Sequence, residues 1–199
     1  MLCGGRSTRM GRPKAWLPAG GEPMLLRVVR VVAEAVGPVV VVAAPGQDVP
    51  ELPAGVEVVR DGTGGNGPLQ GLAAGLDALR GRAAAALVTG CDYPFLTAAF
   101  LRRLCDLRGA ADACLPVTEG VPRPLPGVYA LGVLGVAREL LAAREYRLGA
   151  LAERVGARLA GSIDFAGVDP GLAALRDVNT PADYARALAD LGFPPAEDV

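Results

Sequence analysis

Short apolar runs alternate with segments of helical period along most of the chain. Residues 23–36, P-M-L-L-R-V-V-R-V-V-A-E-A-V, place Arg27, Arg30 and Glu34 on one face, which predicts a helix opened by a proline. Gly37-Pro38 ends it, and residues 39–44, V-V-V-V-A-A, read as a parallel strand buried on both faces. Strands are also expected at 56–60, 83–89, 112–117 and 124–130, with extended chain at 159–164 and 175–178. Helices are expected at 68–80, 97–107 with Thr97 as N-cap, 132–143, 148–155, and from Thr180-Pro181 to about 191, before a frayed tail at 194–199. The alternation predicts an α/β fold with a doubly wound, mostly parallel, Rossmann-like sheet. No repeat or linker divides the chain, so a single domain over 1–199 is expected. Only Met1, Leu2 and Cys3 precede the first glycine pair; the first strand is either very short or starts upstream of this sequence.

The glycine pair opens the most chemically loaded stretch, residues 2–14, L-C-G-G-R-S-T-R-M-G-R-P-K. Paired glycines let backbone approach a ligand closely, and successive N–H groups can face phosphate oxygens. Arginine meets phosphate through a planar fork, and lysine meets it as a point charge. The chain has 19 arginines and one lysine, and that lysine is Lys14. A sequence that uses arginine everywhere else keeps lysine at the end of a phosphate-cradle pattern. A Gly-rich turn with solvated charges is the bland alternative.

Composition narrows the chemistry. Hydrophobic residues make up 51% and charged residues 21% of 199, with a net charge of −1, which gives no electrostatic case for a nucleic-acid partner. No apolar run reaches the ~18 residues of a membrane span. No charged segment followed by an apolar one opens the sequence, so a cytoplasmic protein is expected. There is no histidine, which removes Ser-His-Asp and Cys-His nucleophilic sites and histidine-ligated metals. The cysteines, Cys3, Cys91, Cys105 and Cys114, have no zinc-type spacing and read as reduced packing residues, with Cys3 and Cys91 as possible neighbours at strand ends.

Three further constellations carry chemistry. T-G-C-D-Y-P-F at 89–95 places Asp92 just past an apolar strand, where open α/β sheets bind ligands and where a carboxylate suits Mg²⁺. D-V-N-T-P at 177–181 offers the Asn179 amide oxygen to a metal, and is equally a helix-start signature. N-G-P-L-Q-G-L at 66–72 follows a glycine-rich loop that can fold over a base or sugar. Arg123 and Arg147 are candidates for a second anionic substrate, or simply exposed arginines. A G-x-x-x-x-G-K-[ST] loop is absent, and no G-x-G-x-x-G follows a first strand, which rejects P-loop and Rossmann dehydrogenase readings.

The opening stretch closely resembles the L-x-G-G-x-x-x-R-M-G-x-x-K signature of the molybdenum cofactor guanylyltransferases, nucleotidyltransferases of the glycosyltransferase-A-like fold. G-P-L-Q-G-L, C-D-Y-P-F and D-V-N-T-P are similar to that family's G-P-L-x-G, C-D-x-P and N-x-N-T-P, in the same order, from Leu2 to Pro181. The resemblance implies transfer of GMP from GTP to the phosphate of molybdopterin, with release of pyrophosphate and with Mg²⁺ as cofactor. It implies that Leu2, Cys3 and Gly4 hold the nucleotide through backbone groups, that Lys14 holds its phosphates and that Asp61 meets the guanine. Asp92 would bind Mg²⁺ with help from Asn179, and Lys14, Arg9 and Mg²⁺ would stabilise the leaving pyrophosphate. Transient contact with cofactor-delivery or acceptor proteins is also expected.

An anionic phosphate nucleophile needs no general base, which agrees with the missing histidine. Where the family often carries an asparagine after the second strand, this sequence has Val42-Ala43-Ala44-Pro45, which leaves base selectivity open. The rival readings are a cytidylyltransferase acting on molybdopterin or on a sugar or isoprenoid phosphate, and a non-catalytic nucleotide-binding relative.

Overall fold

The computed structural model describes residues 1–4, 10–62 and 67–195. In chain order the strands are β1 (Pro18–Ala19), β2 (Glu22–Pro23), β3 (Val40–Ala43), β4 (Glu57–Arg60), β5 (Ala85–Val88), β6 (Ala113–Thr118), β7 (Val121–Pro122), β8 (Gly127–Ala130) and β9 (Ala157–Ala160). The helices are α1 (Met24–Val36), α2 (Gly67–Ala78), α3 (Ala98–Arg108), α4 (Leu134–Ala142), α5 (Leu148–Arg154) and α6 (Pro181–Asp190). Among the described residues no helix is long and apolar enough to cross a membrane.

Residues 1–3 act as the central strand. Leu2 bridges Val42 on one side and Gly90 on the other, both in parallel. The Leu2 N–H donates to Thr89 O at 2.7 Å and the Cys3 N–H to Val42 O at 2.8 Å; the Val42 and Cys91 N–H groups return bonds to Met1 O and Leu2 O at 2.8 and 3.2 Å. These bonds join β4–β3 to β5–β8–β6–β9 in one sheet. β3 and β4 pair in parallel, as do β6 and β9. β8 runs antiparallel to both β5 and β6, so its entry lies at the edge where β5 ends, with Gly127 opposite Val88.

The pleat divides the core in two. Ala85, Leu87, Cys114 and Val128 face a layer containing α1 and α3, while Ala86, Val88, Leu115 and Tyr129 face a layer containing α2, α4 and α5. The period-2 alternation and the helical stripes are thus both satisfied. In the first layer Phe165 stacks on Phe100 with ring centroids 4.5 Å apart. A third cluster packs Tyr184, Ala187 and Leu188 of α6 against Met10, Leu17, Ala19 and Met24. That cluster carries the closing helix to the loop holding Lys14.

The expected helices form within a few residues of their predicted bounds, and Thr97 caps α3 by accepting from Phe100 N–H at 3.2 Å. Two stretches expected to be extended depart from that expectation, the first over its second half and the second at one residue. β9 covers Ala157–Ala160, and Ser162–Phe165 turns into a 3₁₀ helix because the Asp164 carboxylate reaches back to Gly161 N–H at 2.9 Å. Ala173–Leu175 is also 3₁₀, its first amides held by the Asp169 carboxylate at 3.0 and 2.9 Å, so of the stretch expected to be extended at 175–178 only Leu175 departs, and Arg176 already has extended backbone. The β1–β2 hairpin went unpredicted; its signal is the pair Gly20-Gly21, both at positive φ (70° and 84°), which a two-residue turn requires.

Phe165 is fully buried in the stack with Phe100, so Phe165→Ala should cost about 3–5 kcal/mol. The urea midpoint is expected to fall accordingly with little change in slope; an unchanged midpoint would show that this layer carries no stability.

Candidate active site

The site forms where the chain leaves the carboxyl ends of the central strands. Lys14 opens a short 3₁₀ turn, Lys14–Trp16, that runs into β1. Its Nζ lies 2.8 Å from Asp92 Oδ2 and donates to Asn179 Oδ1, also at 2.8 Å. Three motifs separated by 78 and 165 residues in sequence therefore meet at one ammonium. The lysine and aspartate side chains are only 17% and 21% exposed, so this contact is shielded more than a surface ion pair.

Asp92 follows β5 through the turn Gly90-Cys91, and its carboxylate folds back over Gly90. A Cβ built on Gly90 would sit 2.3 Å from Asp92 Oδ1, so the glycine is what admits the carboxylate. The Asp92 carbonyl accepts from Val178 N–H at 2.9 Å, which lays the 177–179 segment alongside. Asn179 is then fixed at both ends of its amide: Oδ1 faces Lys14, and Nδ2 donates to Asp177 Oδ2 at 2.7 Å. The helix-start reading of the same motif also holds. Thr180 accepts from Asp183 N–H at 3.1 Å, and the Asp183 carboxylate accepts from Asn179 and Thr180 N–H at 3.2 and 2.9 Å. The cap that starts α6 thus also sets the site asparagine.

The backbone of Leu2 and the N–H of Cys3 are taken up by the sheet, and Cys3 O accepts from Gln47 Nε2 at 3.0 Å. Gln47 Oε1 in turn accepts from Ala44 N–H at 3.1 Å. Sequence reasoning missed Gln47, which belongs to no motif and acts only through the fold. Of the three residues expected to offer backbone groups, Gly4 has no backbone hydrogen bond among the described residues. It faces Asp61, whose Oδ2 would lie 3.7 Å from a Cβ at Gly4.

Asp61 follows β4 and is 7% exposed. Its Oδ1 is buried with no hydrogen-bond partner among the described residues. Burial raises its pKa above the ordinary aspartate value. A buried acceptor without a donor is uncommon in a folded protein and points to a donor supplied by a ligand.

Register places Cys3 opposite Cys91, as neighbouring strand ends suggested, and both thiols are free and buried. Their mutual hydrogen bond, followed by burial, pushes the Cys91 thiol well up. Arg123 joins the site through an ion pair to Asp177 at 3.6 Å. Arg147 instead pairs with Glu145 at 2.8 Å and is largely exposed. Arg9 and Asn66 lie outside the described residues. Asp177, part of a motif read for Asn179 alone, is a second residue that sequence reasoning left without a role.

Among the described residues no three His, Cys, Asp or Glu side chains gather as a metal cluster. The convergence is instead one carboxylate and one amide oxygen around an ammonium, and both oxygens are hard donors of the kind Mg²⁺ takes.

Comparison with known proteins identifies the family. Residues 1–159 match the family described as MobA-like NTP transferase domain. A protein of Pelotomaculum thermopropionicum named probable molybdenum cofactor guanylyltransferase is 32% identical over 188 residues, covering 94% of this chain and 89% of that protein. One of the same name from Methanothermobacter thermautotrophicus is 31% identical, covering 92% and 94%. Among solved structures, molybdopterin-guanine dinucleotide biosynthesis protein A of Archaeoglobus fulgidus superposes with a TM-score of 0.75 at 22% identity, covering 96% of each chain. The 2-C-methyl-D-erythritol 4-phosphate cytidylyltransferase of Thermus thermophilus superposes at 0.69 with 20% identity, covering 93% and 96%. At such identities the superpositions speak for the fold. The sequence matches speak for more, and the chain belongs to the MobA-like NTP transferase family.

Proposed function

We propose that the protein transfers GMP from GTP to the phosphate of molybdopterin. An acceptor phosphate oxygen attacks the α-phosphorus of GTP, a new P–O bond forms, the bond to the β-phosphate breaks, and pyrophosphate leaves. The observation that carries the reading is the meeting of Lys14, Asp92 and Asn179 at one point. The names of the sequence relatives support the choice of substrates.

The residues divide the work by position. Gly4 lets the nucleotide approach the backbone without a Cβ in the way. Lys14 stabilises negative charge on the transferring and leaving phosphates. Asp92 and Asn179 fit as oxygen donors to Mg²⁺, which when bound supplies charge neutralisation on the triphosphate. Asp61, whose Oδ1 has no partner among the described residues, offers its carboxylate to the adjacent N1–H and N2–H donors of guanine. No residue is required as a base, because the attacking oxygen is already anionic at neutral pH.

Calorimetric titration of GTP, CTP, ATP and UTP in Mg²⁺ buffer tests the reading, with selective binding of GTP as the expected result. A preference for CTP would move the protein to a cytidylyl reading, which the missing asparagine at Val42 to Pro45 would explain. Lys14→Ala should lower turnover by about a hundred- to a thousandfold, the usual loss for one preorganised charge-stabilising donor. Wild-type turnover in that variant would remove Lys14 from the mechanism.

The raised pKa of Asp61 has a signed consequence. Burial disfavours the charged form in the free protein, while guanine's donors favour it, so GTP binding releases a proton near that pKa. Affinity for GTP should therefore fall as pH drops through the raised pKa. Asp61→Asn should bind GTP more weakly at neutral pH and lose that part of the acid dependence. Parallel pH profiles in the two proteins would show that Asp61 does not meet the base.

A further inference from the structure

The acceptor in the proposed reaction carries a phosphate of its own, and that anion needs a cation distinct from those serving the triphosphate. Across the ligand edge the strands run β4, β3, residues 1–3, β5, β8. Asp61 follows the first, Gly4 the third and Asp92 the fourth. The nucleotide would thus lie from β4 toward β5, base first, with its α-phosphate near Asp92. The next place along the edge is the entry to β8. β8 is antiparallel to β5, and Gly127 pairs with Val88, so the loop before β8 arrives at this edge rather than the far one.

That loop carries Arg123. Its backbone N–H is fixed to Pro116 O at 2.7 Å, and its guanidinium pairs with Asp177 at 3.6 Å and lies near the Tyr93 hydroxyl. Tyr93 itself donates to Leu125 O at 2.9 Å within the same loop. Asp177 also holds Asn179, so Arg123 belongs to the frame that includes Lys14 and Asp92. The arginine side chain nevertheless stays 36% exposed, and a 3.6 Å pairing leaves donors of its fork for another anion.

From this placement we infer that Arg123 binds the phosphate of the acceptor and presents it to the α-phosphorus from the β8 side. The inference rests on the guanylyltransferase reading and adds the residue that recognises the second substrate. Phosphate held by a guanidinium fork is oriented as well as attracted. Arg123 would therefore choose acceptors that carry a phosphate group and would be silent toward the nucleotide.

Steady-state kinetics with GTP and molybdopterin, beside calorimetric binding of GTP alone, tests this. Arg123→Ala should raise KM for molybdopterin by about ten- to a hundredfold, leave kcat within about threefold and leave the GTP Kd within about twofold. Arg123→Lys, which keeps the charge but not the fork, should recover part of the loss. An unchanged molybdopterin KM in Arg123→Ala, with a wild-type protein that binds and uses GTP, would overturn the inference alone. An equal rise in the GTP Kd would also overturn it, by moving Arg123 to the triphosphate. A wild-type protein that neither binds GTP nor transfers GMP would overturn the underlying reading, and this inference with it.

Discussion

Everything at the ligand edge depends on three residues pairing as a strand. Met1, Leu2 and Cys3 join β3 to β5 through parallel backbone hydrogen bonds on both sides. Without that seam the sheet would be two pieces, β3–β4 and β5–β8–β6–β9. The seam also sets distances across the candidate site, because Gly4 ends it, Asp61 flanks it on one side and Asp92 on the other. A short strand with buried neighbours on both faces suits this role, since its register is fixed by the strands beside it rather than by its own length.

The closing helix does the complementary task from the other end of the chain. α6 packs Tyr184, Ala187 and Leu188 against Leu17, Ala19 and Met24, so it grips the segment that follows Lys14. Asn179 directly precedes its N-cap, Thr180. The same capping box that satisfies the first amides of α6 thereby orients an amide oxygen onto the lysine. The helix-start reading of D-V-N-T-P holds, and the same arrangement sets the contact between Asn179 and Lys14.

Much of this was legible in the sequence because the signals were local. The valine run at 39–42, the Thr97 cap and the Thr180-Pro181 helix start each act within a few residues, and each appears close to where it was expected. What was not legible depended on side chains reaching across loops. Asp164 folds back on a nearby amide and turns the end of an apparently extended stretch into a 3₁₀ helix, and Asp169 does the same just before residues 176–178. Gln47 acquires its role by meeting Cys3, 44 residues earlier, and Asp177 by meeting Arg123 from a loop on another strand. That Asp61 Oδ1 has no hydrogen-bond partner among the described residues is likewise a property of packing. No residue type or spacing announces such contacts before the sheet is assembled.

The single lysine has a practical side. In a chain with 19 arginines, the only side-chain amine is the one held between Asp92 and Asn179. An amine-directed reagent, or an acyl group transferred to lysine, has one side chain to find, and that side chain is the centre of the site. Labelling stoichiometry at Lys14 is therefore a direct reading of how open the site is, without a competing surface lysine to blur it.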